Sequence, residues 1–290
     1  MPPKLACIAG EEISRQWDAG RLGGLCMGPR PTPLGPSGTL YLMGEGDAAF
    51  YLLQRYSGPH GKTAPHRVNY RANLYALKDL GVQCVLGWGP GGAITHTIGV
   101  GDFMVADDVI DCTRSRPSTF FEDSPYGFLR QFPVFCPALR GLVDLLLGQM
   151  KLPHQSSGTI AVTEGPRLET PAEVRMLSSV GAAVVSHTFV PEVFLARELE
   201  LCYAALCYVV NYAETGSRHR PLAVGELFGG LAVPSEDTRL HQATGALRPL
   251  AEQLATALAQ MEPSCDCARS MDFNRDEYHL GDDWREWFKA

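Results

Sequence analysis

Three segments of the chain put ionisable or amide side chains where apolar runs end. Glu164-Gly165-Pro166-Arg167-Leu168-Glu169-Thr170 crowds three charged residues between the run Thr159–Thr163 and a helix start. Asn211-Tyr212-Ala213-Glu214 closes the longest apolar run, Cys202–Asn211. Gly87-Trp88-Gly89-Pro90-Gly91-Gly92 follows the run Gln83–Trp88 and precedes Asp102. A glycine cluster at a strand end serves either a tight turn or close backbone approach to a ligand. A single Asn at such an edge often serves a turn or cap. Three polar edges in one chain favour a pocket, because open α/β sheets bind ligands beyond the carboxyl ends of their strands.

Other chemistries lack their residues. There is no Gly-x-Ser-x-Gly elbow, no P-loop and no His-Glu-x-x-His, which removes several hydrolase and nucleoside-triphosphate classes. The eight histidines follow no metal spacing; His60 and His66 flank a Gly-Lys loop, and His187 follows a strand. The nine cysteines sit mostly within apolar runs, where a thiol behaves as a small hydrophobe. Their odd number speaks against a disulfide framework. Cys265-Asp266-Cys267 resembles half a metal site, but no further Cys or His pair follows it at zinc-finger spacing. No metal is assigned.

The elements that must position these residues alternate between short apolar runs and helical patterns, the rhythm of an α/β fold. Strands are predicted at Leu5–Ala9, Thr39–Met43, Ala49–Leu53, Gln83–Trp88, Asp102–Ala106, Thr159–Thr163, Ala182–Ser186 and Cys202–Asn211. Leu74, Leu77 and Leu80 share one face of a helix from Asn69, which Gly81 stops. Thr170-Pro171-Ala172-Glu173 is a capping box with proline at the first helical position. Pro191 opens another helix through Leu199, and Glu236 to Met261 reads as one long amphipathic helix. Arg21–Ser37, rich in Gly and Pro, reads as a surface loop. Residues 1–262 are expected to form the domain and 263–290 a C-terminal extension, whose Trp284, Trp287 and Phe288 suit a clasp over a neighbouring surface.

A net charge of −7 argues against a general nucleic-acid or membrane-surface binder, and 45% hydrophobic residues suffice for a core. No run approaches the roughly 18 apolar residues of a membrane span. The opening Met-Pro-Pro-Lys-Leu lacks a signal-peptide profile, so a cytoplasmic protein is expected.

Four motifs then carry a family resemblance: Val68-Asn69-Tyr70-Arg71-Ala72-Asn73, Gly101-Asp102-Phe103, Asp111 through Pro117, and Thr163-Glu164-Gly165-Pro166-Arg167. They are followed by Gly181-Ala182, Thr188 and Val190-Pro191-Glu192-Val193. Over residues 48 to 260 the chain resembles the trimeric purine nucleoside phosphorylases, and among them the methylthioadenosine and methylthioinosine phosphorylases. That resemblance implies a single-domain α/β nucleoside-phosphorylase-like fold. Its central sheet would be mixed, partly barrel-like and flanked by helices, and the assembly a homotrimer. It further implies phosphorolysis of a purine nucleoside to free base and pentose 1-phosphate, with phosphate as co-substrate and no metal or organic cofactor.

Carried over by position, the resemblance puts Asn211 and Glu169 on the base. A 6-oxopurine offers an N1–H to the Glu169 carboxylate and O6 to the Asn211 amide, whereas adenine offers an acceptor N1 to a carboxylate. A 6-oxopurine base is therefore expected; the 5′ substituent of the sugar is left open, a 5′-methylthio group being one candidate. Leu168 takes the place of an aromatic stacking on the base. Arg55, Thr188 and Tyr56 fall at the phosphate, and His187 at the ribose. Trp88 would stand on the wall opposite the phosphate loop and fill volume there. Glu11 lies where a phosphate-contacting hydroxyl belongs. Two other readings follow from that loop: a hydrolytic nucleosidase in which Glu11 or Glu12 activates water, and a non-catalytic purine nucleoside binder.

Overall fold

The computed structural model describes residues 2–10, 22–58, 61–124, 126–213, 234–261 and 264–288. Glu11, Glu12 and His60 lie outside the described residues. The chain forms β1 (Leu5–Ala9), β2 (Leu25–Thr32), β3 (Gly35–Met43) and β4 (Phe50–Gln54), then two short pieces, β5 (Ser57–Gly58) and β6 (Gly61–Lys62). The helix Tyr70–Asp79 leads to β7 (Cys84–Ala93), β8 (Phe103–Val105) and β9 (Asp108–Cys112). After the helix Pro137–Gln149 come β10 (His154–Gln155), β11 (Thr159–Thr163) and β12 (Ala182–Ser186), with the helix Pro171–Ser179 between the last two. The helix Glu192–Glu198 precedes β13 (Cys202–Tyr212), and helices Pro234–Gly245, Leu247–Gln260 and Asp272–Tyr278 close the chain.

One mixed sheet runs β10-β8-β13-β7-β1-β4-β3-β2 and forks at β7, which also pairs antiparallel with β12; β11 and β9 continue that branch. Strands buried on both faces read as unbroken apolar runs, and β1 and β13 do so here. Alternate residues serve opposite cores. Ala6, Ile8, Tyr203, Ala205 and Cys207 join the core beneath the helices Tyr70–Asp79 and Glu192–Glu198. Leu5, Cys7, Cys202, Ala204 and Leu206 join the core under Pro137–Gln149 and Leu247–Gln260.

Four local expectations change. The stretch expected as a loop over Arg21–Ser37 contributes, from Leu25 on, an edge hairpin of β2 with β3. Edge position tolerates Pro29, Pro31 and Pro36, and the register shifts beside Pro29 and Pro31 absorb the missing donors. The long helix from Glu236 breaks at Ala246, because Pro249 lacks an N–H and crowds the Gly245 carbonyl four residues earlier. The glycine cluster continues β7 to Ala93 and does not end it. The helix Pro137–Gln149 was not expected, although Leu139, Val143, Leu146 and Leu147 mark its buried face.

The capping box forms as predicted: the Thr170 hydroxyl accepts from the Glu173 N–H while Glu173 accepts from the Thr170 N–H. The C-terminal segment is a clasp. Trp284 meets Tyr75 edge-on at 4.7 Å, Phe288 packs on Phe120 and Phe121, and Trp287 is buried with its indole N–H on the Gly281 carbonyl. Phe120 and Phe121 are thus covered within the chain, while Phe128 and Phe132 are exposed at 82% and 90%.

Candidate active site

Register across the forked sheet explains how residues distant in sequence share one edge. Asn211 of β13 and Val185 of β12 both pair with Gly92 of β7, so Asn211 and the segment Ser186–Thr188 flank the same strand. Val162 of β11 pairs with Ser186, which brings the Glu164–Thr170 connection beside His187. The Glu169 carboxylate accepts the Thr163 hydroxyl, and His187 Nε2 lies 3.2 Å from it. Both bonds fall on Oε1. Burial works against the charge, but the His187 and Thr163 hydrogen bonds outweigh it and hold the Glu169 carboxyl below its ordinary value. Gly165 takes φ +63°, and an added Cβ there would meet the His187 ring nitrogen Nδ1 at 3.0 Å. Glycine is what lets this turn lie against the imidazole.

A residue that the motifs contained, but to which no role was given, ties this edge together. Arg116 is buried and donates to the carbonyls of Thr163, Glu164, His187 and Val190, stitching the end of β11 to the end of β12. Glu164 caps the same region from outside, accepting the Ser115 hydroxyl at 2.7 Å. A cleft of about 390 Å³ opens here, lined by Arg114, Thr163, Glu164, Arg167 and Glu169 among others.

At the end of β12, Thr188 is buried and shares a 2.7 Å hydrogen bond with Ser186, whose hydroxyl donates to the Pro90 carbonyl. A Cβ added at Gly89 would overlap the Thr188 hydroxyl, so glycine is required for this approach. Trp88 points the opposite way, into the core against Phe103 and Tyr208. The expectation that its ring fills the phosphate volume is therefore corrected. Period-2 alternation sends Trp88 to the sheet face away from Thr188.

Arg55 follows β4 and is wholly buried. Its Nε and Nη2 reach Glu192 at 2.5 and 3.0 Å, Nη1 donates to the Trp88 carbonyl and Nη2 to the Ile8 carbonyl. Tyr203 donates to the same Glu192 carboxylate at 2.6 Å. Desolvation opposes the charge, and Glu192 more than offsets it, raising the guanidinium above its ordinary value. Within the chain the charge of Arg55 is thus already answered by Glu192. Glu192, which the sequence reading noted only as part of a motif, is the residue that was missed.

The phosphorylase superfamily profile matches residues 44–229. The chain belongs to that superfamily. The phosphorylase is 36% identical over 279 residues to the probable S-methyl-5′-thioinosine phosphorylase of Methanothermobacter thermautotrophicus, covering 95% of this chain and 92% of the relative. It is 38% identical over 208 residues to the 6-oxopurine nucleoside phosphorylase of Pyrococcus furiosus, covering 69% and 76% of the two chains. The methylthioadenosine phosphorylase of Schistosoma mansoni in complex with tubercidin shares the fold, with a TM-score of 0.77, 24% identity and 94% and 96% coverage.

Of the residues expected at the site, the phosphorylase joins Glu169 directly to His187, and sheet register sets Asn211 and Thr188 along the same strand, β7. Leu168 is half-buried, its carbonyl accepting from Arg167. His187 engages Glu169, so its ring nitrogen Nε2 serves the carboxylate. Tyr56 lies beside Gly10, whose added Cβ would meet its ring at 3.3 Å, and beside the Arg55 guanidinium. Glu11 lies outside the described residues. No helix among the described residues is long and apolar enough to cross a membrane.

Proposed function

We propose that this phosphorylase cleaves the N-glycosidic bond of 6-oxopurine nucleosides by phosphate attack, giving free base and pentose 1-phosphate. Two relatives support the base class, since thioinosine and 6-oxopurine nucleosides both present N1–H and O6. The observation that carries the reading is the Glu169 carboxylate, which Thr163 and His187 hold through Oε1. In the proposed reaction Oε2 accepts the base N1–H, and His187 positions the carboxylate. The Asn211 amide donates to the base as its negative charge grows, and stabilising charge that develops in the transition state is what accelerates the step. Thr188 binds phosphate, which attacks the anomeric carbon of an oxocarbenium-like sugar. Tyr56 borders that anion, Leu168 the base, and Arg55 with Glu192 forms the rigid floor. Neither metal nor organic cofactor enters the chemistry. A 5′-methylthio sugar fits the thioinosine relative.

The finer assignments rest on further features. The exposed Phe128 and Phe132 suit burial against other copies in a homotrimer. Nine cysteines with no disulfide among them suit a reducing compartment such as the cytoplasm. Water activation by Glu11 or Glu12, and binding without catalysis, are less favoured, because the named relatives are phosphorylases.

The test is product analysis of inosine with and without phosphate. Ribose 1-phosphate only with phosphate is the expected result, and free ribose in phosphate-free buffer would overturn it. Glu169→Ala should lower kcat/KM on inosine about 5- to 160-fold, the equivalent of about 1–3 kcal/mol for an unpaired buried donor. Asn211→Asp should raise the relative use of 6-aminopurine nucleosides; an unchanged ratio would remove Asn211 from the base site.

A further inference from the structure

Four of the nine cysteines meet at a point remote in sequence from one another. Cys136 caps the helix Pro137–Gln149, Cys202 begins β13, and Cys265 and Cys267 form the Cys-x-Cys turn that opens the C-terminal segment. Their four Sγ atoms all lie within 4.8 Å of one another, with Cys202 and Cys265 at 3.4 Å. A tetrahedral ion with metal–sulfur bonds of about 2.3 Å sets every sulfur–sulfur edge at about 3.8 Å. Small side-chain movements would bring the set to that shape. Two disulfides need only two short separations and leave the other four unconstrained, whereas a central ion needs all six pairs close at once. All six are close here.

The surroundings favour the anionic ligands such an ion requires. Cys136 Sγ accepts the Leu139 N–H at 3.5 Å at a helix N-terminus, where negative charge is stabilised. Cys136 and Cys202 are buried while Cys265 and Cys267 are partly exposed, which leaves a route of entry. The set contains sulfur alone, which selects a soft tetrahedral metal over magnesium or calcium. A fifth cysteine, Cys84, faces Cys202 across the β7–β13 pairing and is not one of the four.

We propose that Cys136, Cys202, Cys265 and Cys267 bind one structural Zn2+ as four thiolates, releasing their four protons on binding. The shell is full, so the ion has no open position for substrate. Its work is mechanical. It pins the first residues of the C-terminal segment to the start of β13 and of the helix Pro137–Gln149, fixing the base from which Trp284, Trp287 and Phe288 reach across the body.

The full chain, purified with reductant and without chelator, should carry one zinc per chain by elemental mass spectrometry. The stripped protein, denatured, should then titrate nine thiols. Co2+ added to the stripped folded protein should give thiolate-to-cobalt charge-transfer and strong tetrahedral d–d absorption. Cys265→Ser with Cys267→Ser should abolish both the metal and the spectrum, and Cys84→Ser should keep them. Where the double variant fails to fold, the wild-type stoichiometry and cobalt spectrum decide. Metal-free protein overturns the proposal, with nine thiols (an unliganded thiol cluster) or with five (two disulfides among the four). Iron in place of zinc overturns the metal assignment, and a cobalt spectrum without thiolate bands overturns the ligand set.

Discussion

Replacing Glu192 with alanine removes the carboxylate bonded to the wholly buried Arg55 guanidinium. Both side chains of the Arg55–Glu192 pair are 0% exposed, so water cannot take over the lost bonds. Three hydrogen bonds disappear together: two from Arg55 and one from the Tyr203 hydroxyl. Breaking a buried pair from one side costs about 3–5 kcal/mol, because the surviving charge stays desolvated. The entropy of unfolding is about 2.1 cal/mol/K per residue, which over 290 residues is about 0.6 kcal/mol/K. Glu192→Ala should therefore lower Tm by about 5–8 °C in differential scanning calorimetry at neutral pH. Arg55→Met combined with Glu192→Leu restores volume and leaves no charge behind. The double variant should recover much of the loss, since apolar replacement of whole buried pairs is often neutral. A single variant within 1 °C of wild type, or a double variant no better than the single, would refute the reasoning.

Three further outcomes follow. Burial pushes the Glu198 carboxyl from 4.5 up to about 7, against the Thr119 hydroxyl and the Phe120 N–H that it accepts. The folded state thus holds a proton that the unfolded state has released between about pH 4.5 and 7, so stability falls as pH rises through that window. Glu198→Gln should flatten this slope in denaturant titrations, and an unchanged slope would place its origin elsewhere. Gly89→Ala should displace the Thr188 hydroxyl and raise the KM for phosphate; an unchanged KM would separate Thr188 from the anion site. Trp287→Ala should cost about 3–5 kcal/mol in urea unfolding, as deletion of a fully buried indole does. A loss below about 1 kcal/mol, the scale of a surface change, would mean that the clasp packs loosely.

The capping box at Thr170 was legible because all its partners lie within four residues. The alternating faces of β1 and β13 could be read as buried strands for a similar reason, since composition alone marks a strand covered on both sides. Arg55 shows the opposite case. Its partner Glu192 is 137 residues away, and two charges inside apolar runs do not announce each other. The direction of Trp88 depended on β7 continuing through six residues dense in glycine and proline, which local propensity reads as a turn. At Glu169 the family resemblance pointed to the base, but its bond to His187 depends on register between β11 and β12. The cysteines around Cys202 were hidden by the same distance in sequence: each was read as a lone hydrophobe or as half a site.

The clasp sets an order on the molecule's own making. Arg285 reaches back to Asp79 across 206 residues, and the aromatic cover over Tyr75, Phe120 and Phe121 comes from the same final stretch. At about 5–20 residues added per second, the helix Tyr70–Asp79 waits roughly 10–40 s for the aromatic residues that shield it. During synthesis this face is a greasy, unlidded surface, a natural stop for a chaperone and a point where two unfinished chains can stick. A nonsense codon anywhere from Cys267 to Trp284 would leave that surface permanently bare, with every residue of the proposed active site already in the chain.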